Sequence, residues 1–177
     1  MKKLFSLTVL VLLGQALSAQ SFFQASLTPD IAVVEKGAQI EGVALNIWGE
    51  NQVNGLDLGF VNGLTGSSSG LNIAFLGSYA ENYKGVLWGG FFTRSTGTFV
   101  GWQAATVNIN DLSFKGLQSG LVNIANRAEG VQLGFVNYAK DLYGVQIGAI
   151  NVVESNEWFT NLPTDLAKGF PFVNWSF

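Results

Sequence analysis

A short phrase of alternating residues returns eight times along this 177-residue chain and constrains its fold more than any other feature. Each copy reads Gly, aliphatic, small polar residue, aliphatic, small residue, and several copies close on Asn. The clearest copies span residues 116–123, 130–137 and 144–151, and looser copies begin at Gly42, Gly55, Gly70, Gly85 and Val100. The copies start 13 to 16 residues apart. A period this short leaves room for one strand and one turn, so the sequence predicts a row of similar β-strands.

Within each copy, large apolar residues alternate with small or polar ones. In the copy at 130–137 the apolar positions are Val131, Leu133 and Phe135, and Gln132 lies among the alternate glycines. Successive side chains of a strand point to opposite sides, so one face of each strand is large and apolar while the other is small with a polar centre. A helix is excluded by this period of two and by the recurring Gly, which costs about 1 kcal/mol in a helix interior.

Charged residues lie between the copies, and Asp57 is the one ionisable residue inside them. Uncharged strand centres are typical of strands in a bilayer, where a basic residue at the midplane costs about 2–4 kcal/mol. One further strand at each end of the repeat array brings the count to ten. We therefore predict an all-β fold, a small antiparallel transmembrane β-barrel of about ten strands built from strand–turn repeats of about 14 residues. Its apolar face would meet lipid, and Gly, Gln and Asn would line a narrow polar lumen.

A β-solenoid is the alternative prediction, favoured by the near-identical consecutive copies. In this alternative, two repeats form one coil of about 28 residues, the apolar side chains fill a dry core, and the Gln and Asn residues stack in ladders on a solvent-exposed face. The motif Gly-x-Gln-x-Gly is nearly palindromic, so the sequence leaves the strand direction open. The solenoid would be a secreted or surface-attached binding module.

The N-terminus has the features of an export signal. Lys2 and Lys3 precede an apolar run over residues 4–13, and small residues follow at 16–19. This order predicts a cleaved signal peptide over residues 1–19 and a single β domain over residues 20–177.

The C-terminus carries a second predicted signal. The closing alternation Val173, Trp175 and Phe177 resembles the terminal signal by which bacterial outer-membrane barrels are delivered to their assembly machinery. The resemblance implies that outer-membrane lipid and this barrel-assembly machinery are partners of the chain. It places the exported protein in the bacterial outer membrane or at the cell surface.

The repeat array as a whole resembles a bacterial family of exported surface-repeat proteins of unknown function. The resemblance rests on the Gly-Leu-Gln-x-Gly-Leu-x-Asn repeats behind a signal peptide, on residues 26–30, and on the ending Asn174-Trp-Ser-Phe177. The copies at 85 and 100 depart from the pattern, because Trp88 and Trp102 replace the aliphatic residue. The resemblance implies exposure at the cell surface.

Several classes of chemistry are excluded by composition. The chain has no His and no Cys, so His general bases, Ser-His-Asp triads, thiol nucleophiles and thiolate metal sites are not available to it. Removal of Lys2 and Lys3 leaves seven basic against twelve acidic side chains, a net charge of −5 with no basic cluster. This balance argues against nucleic acid as a partner. We predict a non-enzymatic protein without a cofactor, with a structural, adhesive or minor permeability role and an unidentified ligand.

Two sets of polar residues within the repeats need a separate interpretation. Asp57 is either a lumen carboxylate that faces Gln103, Gln118, Gln132 and Gln146, or a solvated or hydrogen-bonded Asp in place of the repeat's Gln. The repeat-closing residues Asn123, Asn137 and Asn151 are predicted to cap strand ends or to form turns, where Asn tolerates left-handed backbone conformations.

Overall fold

The computed structural model describes residues 20–157 and 168–177, which are almost entirely β-strand. The predicted signal peptide, residues 1–19, lies outside the described residues. The strands in chain order are β1 (Ser21–Thr28), β2 (Ile31–Ala32), β3 (Gln39–Gly89), β4 (Phe92–Ser95), β5 (Thr98–Ala104), β6 (Val107–Val153) and β7 (Gly169–Ser176). β3 and β6 are long because each runs through several coils without a break.

Each repeat pairs in parallel with the next repeat, and the chain forms a β-solenoid of about seven turns. The parallel register places Gly101 beside Gly85 on one side and beside Gly116 on the other. The predicted antiparallel barrel is therefore wrong, because consecutive strands run in the same direction and stack in one row. The alternative prediction of a solenoid is confirmed, with one correction. One repeat of 13 to 16 residues, rather than two repeats, makes a full coil, and the fifth copy begins at Gly101 rather than Val100.

A column of glycines at the start of each repeat allows the coils to stack this closely. A Cβ added at Gly130 would lie 2.1 Å from the carbonyl oxygen of Gly116, and the φ angle of Gly130 is +129°. Both the close contact and the left-handed backbone exclude a larger residue. The column, here called the stacked glycines, consists of Gly42, Gly55, Gly70, Gly85, Gly101, Gly116, Gly130 and Gly144.

Four side chains of each coil point into the solenoid. In the coil around Gly130 they are Ala128, Gln132, Asn137 and Ala139, all buried. Ala128 lies two places before the stacked glycine, and Gln132, Asn137 and Ala139 lie two, seven and nine places after it. The first of these columns holds the aromatic residues Tyr83, Phe99 and Phe114, whose rings stack at centroid distances of 5.9 and 5.8 Å. The interior is therefore a set of columns, in which each residue packs on its equivalent in the next coil.

The polarity of the two strand faces is the reverse of the one predicted for the solenoid. Gln132 is 0% exposed, whereas Leu133 and Phe135 on the other face are exposed. The outward apolar face and inward Gln and Asn agree with the sidedness predicted for the barrel, although the fold is different. No polar lumen exists in the described coils, because stacked side chains fill the interior. The minor permeability role was tied to that lumen and is abandoned with the barrel.

The two ends of the row have different partners. At the N-terminal end β1 pairs in parallel with β3, and the short β2 folds back on β1 in antiparallel orientation. At the C-terminal end β7 pairs antiparallel with the last coil of β6, with Trp175 beside Val145. These strands cover the last coil edges, which would otherwise present unpaired backbone groups. Within residues 20–157 and 168–177, no helix has the length and apolarity needed to cross a bilayer.

Candidate functional site

Stacked glutamines form a hydrogen-bonded ladder along the interior of the C-terminal coils. The side-chain amide of Gln118 donates to Gln103 at 2.9 Å, Gln132 donates to Gln118 at 2.7 Å, and Gln146 donates to Gln132 at 2.8 Å. Gln132 also donates across the coil to the carbonyl oxygen of Tyr138 at 3.3 Å, six residues further on. Gln146 donates in the same way to the carbonyl oxygen of Val152 at 3.1 Å, so these two amides are held both by the preceding coil and by their own coil.

A second ladder of asparagines runs in the opposite direction. Asn108 donates to Asn123, Asn123 to Asn137 and Asn137 to Asn151, each at 2.8 Å. Thr93 extends this ladder by donating to Asn108 at 2.6 Å. Glutamine donors thus point toward the N-terminal coils and asparagine donors toward the C-terminal coils, so the dipoles of the two ladders oppose each other.

The two ladders change the role predicted for these residues. Asn123, Asn137 and Asn151 are fully buried inside strand β6 and have no left-handed backbone, so the predicted turn and capping role is wrong. The predicted ladders exist, but they are not solvent-exposed. Because an unpaired buried amide costs about 1–3 kcal/mol, the ladders hold the coils in one register. Apart from the side-chain oxygen of Gln146 at the C-terminal end of the glutamine ladder, which is buried without a partner, their hydrogen-bonding groups are used within the protein.

Asp57 lies in the same interior column as the glutamines, two places after a stacked glycine. Its two carboxylate oxygens accept hydrogen bonds from Asn46 at 2.8 Å and Asn72 at 3.0 Å. Burial raises the pKa of Asp57 to about 7, although the two amide donors act to lower it. Burial and then the charge of Asp57 raise the pKa of Tyr83 in the next interior column.

The hydrogen-bonded interpretation of Asp57 is therefore confirmed, and the lumen interpretation is wrong. Asn72 and Leu87 occupy the equivalent column position in the two coils that separate Asp57 from Gln103. Among the described residues, no group of three or more acidic side chains is placed to hold a metal ion. Asp57 is enclosed by amides and is out of reach of a substrate in solution.

The outer surface of the strand that follows each stacked glycine is apolar. Phe60 and Phe75 occupy the same place in consecutive repeats, and their rings meet edge to face at a centroid distance of 5.5 Å. These residues lie five places after a stacked glycine, and near the middle of the solenoid this place is taken by the polar residue Thr106. We call this surface the apolar face; its exposed members are Leu45, Ile47, Phe60, Ile73, Phe75, Leu76, Trp88, Phe91, Leu121, Leu133, Phe135, Ile147 and Ile150.

Charged residues are confined to the remaining surface of the coils. Lys115 pairs with Glu129 at 2.5 Å and Arg94 with Asp111 at 2.8 Å, each joining neighbouring coils. Both pairs are exposed, so each contributes at most about 1 kcal/mol to stability. The segments that form the apolar face contain no charged side chain other than the buried Asp57. The solenoid is therefore amphipathic over most of its length.

A groove deepens the apolar face at its N-terminal end. It has a volume of about 720 Å³ and lies between the β1–β2 hairpin and the first coils of β3, where Leu27, Val33, Ile47 and Phe60 contribute to its lining. Two polar side chains reach it, but the hydroxyl of Ser26 donates to the side-chain oxygen of Asn46 at 2.6 Å. Asn46 in turn donates to Asp57, so both groups already have partners. The groove therefore offers mainly hydrocarbon contact, and neither of its polar side chains is free of a partner.

The residues of the predicted terminal signal lie in and beside β7. Val173 is paired with Ile147 and Trp175 with Val145, and Phe177 contacts the ring of Tyr143 at a centroid distance of 5.7 Å. The chain therefore places these three residues at the C-terminal cap of the solenoid. Their role as an assembly signal stays a prediction.

Sequence reasoning missed two groups of residues that matter for the site. Asn46 and Asn72 hold Asp57; Asn72 lies one repeat further on at the equivalent place, which is a usable signal, whereas Asn46 lies 11 residues before Asp57 and has none. The aromatic column of Tyr83, Phe99 and Phe114 has a usable signal, because each lies two places before a stacked glycine. The stacking of the glutamines is predicted correctly by the solenoid alternative, which however places them on the outer face.

Fold and site together define a β-solenoid with a hydrogen-bonded amide interior and an apolar outer face. Comparison with protein-family models, with curated proteins and with solved structures finds no match to this chain. The resemblance to a bacterial surface-repeat family stays a prediction from the repeats.

Proposed function

We propose that this protein is an exported, non-enzymatic β-solenoid that acts as a binding module at the bacterial cell surface, with the apolar face as its binding surface. The observation that carries the proposal is the exposure of that face. Phe75 is 62% exposed and Phe135 is 61% exposed, while the amides of Gln132 and Asn137 are fully buried. Large exposed apolar patches on a folded protein mark sites of protein or membrane contact.

The side chains of the apolar face are not needed to hold the fold together. The interior columns and the backbone pairing between coils supply the contacts that hold the solenoid together. The large side chains that point outward lower the solubility of the protein and pack little against its interior. Such an arrangement fits a surface that another component covers. The export signal and the resemblance to surface-repeat proteins support a location at the cell surface.

A matched pair of substitutions tests the proposal. Leu121 lies on the apolar face and is 61% exposed, whereas Leu112 lies near Arg127 and Lys140 on the charged surface and is 58% exposed. We expect the wild-type protein to be processed and to remain with the cell envelope of an expressing bacterium. We expect Leu121→Glu to be released into the soluble fraction and Leu112→Glu to remain. Cytoplasmic, unprocessed wild type would refute the export, and equal retention of both variants would refute the role of the face.

A further inference from the structure

The apolar face is long enough to lie on an extended surface. Adjacent coils of paired strands are about 4.8 Å apart, so the eight stacked glycines span about 34 Å. Exposed large side chains follow this line from Leu45 in the first of these coils to Ile147 in the last, except in the coil of Gly101, where Ala104 and Thr106 take these places. A face of this length, without a charged residue, exceeds what a small-molecule ligand needs.

The hydrogen-bonding groups near this face are already occupied. The indole N–H of Trp48 donates to Tyr79 at 3.1 Å, and that of Trp102 donates to Ser119 at 2.8 Å. The backbone groups of the central strands pair with the coils on either side. Protein interfaces carry about one hydrogen bond per 100–200 Å², which this face cannot supply over most of its length. A partner that forms no hydrogen bonds fits the face better.

From these observations we propose that the apolar face rests on the hydrocarbon of a lipid bilayer, with the solenoid lying flat in the interface. The inference rests on the proposed function and names the partner of the same surface. The charged side chains stay in water because they occupy the rest of the coil surface. This division matches the arrangement of proteins that lie in a membrane interface without spanning it.

The groove at the N-terminal end of the apolar face then accepts one acyl chain. Its volume of about 720 Å³ lies within the range of roughly 300–1,000 Å³ for sites that take small apolar molecules. Ser26 and Asn46 already have partners and the rest of the lining is mainly apolar, so the part of a lipid that it recognises is the hydrocarbon chain.

Binding of this kind does not depend on anionic lipid headgroups. After loss of the predicted signal peptide the chain carries a net charge of −5, and three of its basic residues, Lys36, Arg94 and Lys115, pair with acidic ones. A negatively charged membrane surface attracts clusters of Lys and Arg, which this protein lacks. We therefore expect binding to zwitterionic vesicles that is insensitive to salt.

Vesicle flotation tests the inference directly. The processed protein is purified in a nonionic detergent, and the detergent is removed in the presence of phosphatidylcholine vesicles before centrifugation through a density gradient. We expect wild type to float with the vesicles at 50 mM and at 500 mM salt. Leu121→Glu is expected to lower the bound-to-free ratio about tenfold or more, because it replaces buried apolar surface by a charge. Leu112→Glu keeps the wild-type ratio. Circular dichroism confirms that both variants remain folded.

Other outcomes overturn the inference and separate it from the proposed function. Wild type that stays at the bottom of the gradient as a dimer shows that a second copy covers the face. Binding that needs anionic lipid or is lost at 500 mM salt shows attraction to headgroups instead. Equal loss of flotation in both variants shows a non-specific effect of charge. If flotation fails while Leu121→Glu is still released from the cell envelope, the face binds another partner and the proposed function stands.

Discussion

The buried carboxylate at Asp57 makes the stability of the solenoid depend on pH in an unusual direction. Its side chain is enclosed in the interior column, and the hydrogen bonds from Asn46 and Asn72 only partly compensate for the loss of water. The perturbation that isolates this effect is Asp57→Asn. The neighbouring hydroxyl of Ser78, which donates to Asn72, can also accept a hydrogen bond, so Asn72 can turn its amide over to suit the new side chain.

The sign follows from the folded and unfolded pKa values of Asp57. Below about pH 4 the carboxyl is protonated in both states and adds no pH dependence. Between about pH 4 and pH 7 the unfolded chain releases the proton while the folded chain keeps it, so stability falls as the pH rises. Above about pH 7 both states are charged and the loss is complete. A rise in pKa from 3.8 to about 7 lowers the free energy of unfolding by about 4 kcal/mol, because a change of one in the pKa corresponds to about 1.4 kcal/mol.

The assay is urea unfolding at several pH values from 4 to 8, monitored by circular dichroism. The buffer contains a constant concentration of nonionic detergent, which covers the apolar face. For a urea m-value of about 2 kcal/mol/M, the midpoint of the wild type falls by about 2 M over this range. Glu50 beside Lys36 changes stability in the opposite sense, because desolvation raises its pKa but Lys36 and Tyr79 lower it further. This contribution is present in Asp57→Asn as well, so the difference between the two proteins reports Asp57.

A single result would refute this reasoning. If the midpoints of wild type and Asp57→Asn change with pH by the same amount, the Asp57 carboxyl does not titrate between about pH 4 and pH 7. An additional loss of stability in Asp57→Asn at pH 4 would show that Asn72 does not turn over. That loss would be independent of pH and so could be separated from the titration.

Three further substitutions test the columns of the solenoid, each by its urea midpoint. Gly130→Ala places a Cβ 2.1 Å from the backbone of the next coil at a φ of +129°, so we expect a loss of at least about 2 kcal/mol. Gly169→Ala, whose Cβ would have no neighbour closer than 3.9 Å, is the control and is expected to be near neutral. Gln132→Leu breaks the ladder on both sides and is expected to cost about 2–4 kcal/mol. Phe99→Ala opens a cavity in the aromatic column and is expected to cost about 3–5 kcal/mol.

Each of these expectations has a result that contradicts it. Equal midpoints for Gly130→Ala and Gly169→Ala would mean that the coils do not stack as closely as the glycine column requires. A neutral Gln132→Leu would mean that the amide ladder is not formed. A neutral Phe99→Ala would mean that the aromatic rings are outside the core.

The repeats predicted much of the local structure correctly. The alternation in residues 130–137 identified strands, and the stacked amides were foreseen because Gln and Asn return at equivalent places in consecutive copies. The hydrogen-bonded state of Asp57 was also anticipated, because it replaces a residue of the repeat. The partner Asn72 carries the same signal as the glutamines, because it lies one repeat after Asp57 at the equivalent place. The partner Asn46 could not be predicted, since it lies at a different place in its repeat and meets Asp57 only when the coils stack.

The error in the fold had a specific cause. Uncharged strand centres with charges between them are equally typical of a strand in lipid and of a solenoid with one apolar outer face. The near-palindromic motif then gave no strand direction. The order of Gln and Asn in consecutive repeats does favour parallel neighbours. In parallel register Gln118 meets Gln132 and Asn123 meets Asn137, whereas reversed neighbours would not bring like residues together along the whole row.

By itself the sequence determined that this chain forms repeated strands, that each strand has one apolar and one small polar face, and where the charges lie. These properties are local, because side-chain alternation and turn chemistry depend on residues close together in the chain. The tertiary structure alone decided that the repeats stack in parallel, one to a coil, with the amides inside and the large apolar residues outside. That choice depends on hydrogen bonds between residues about 15 positions apart, and on the contact between stacked glycines that leaves no space for a side chain.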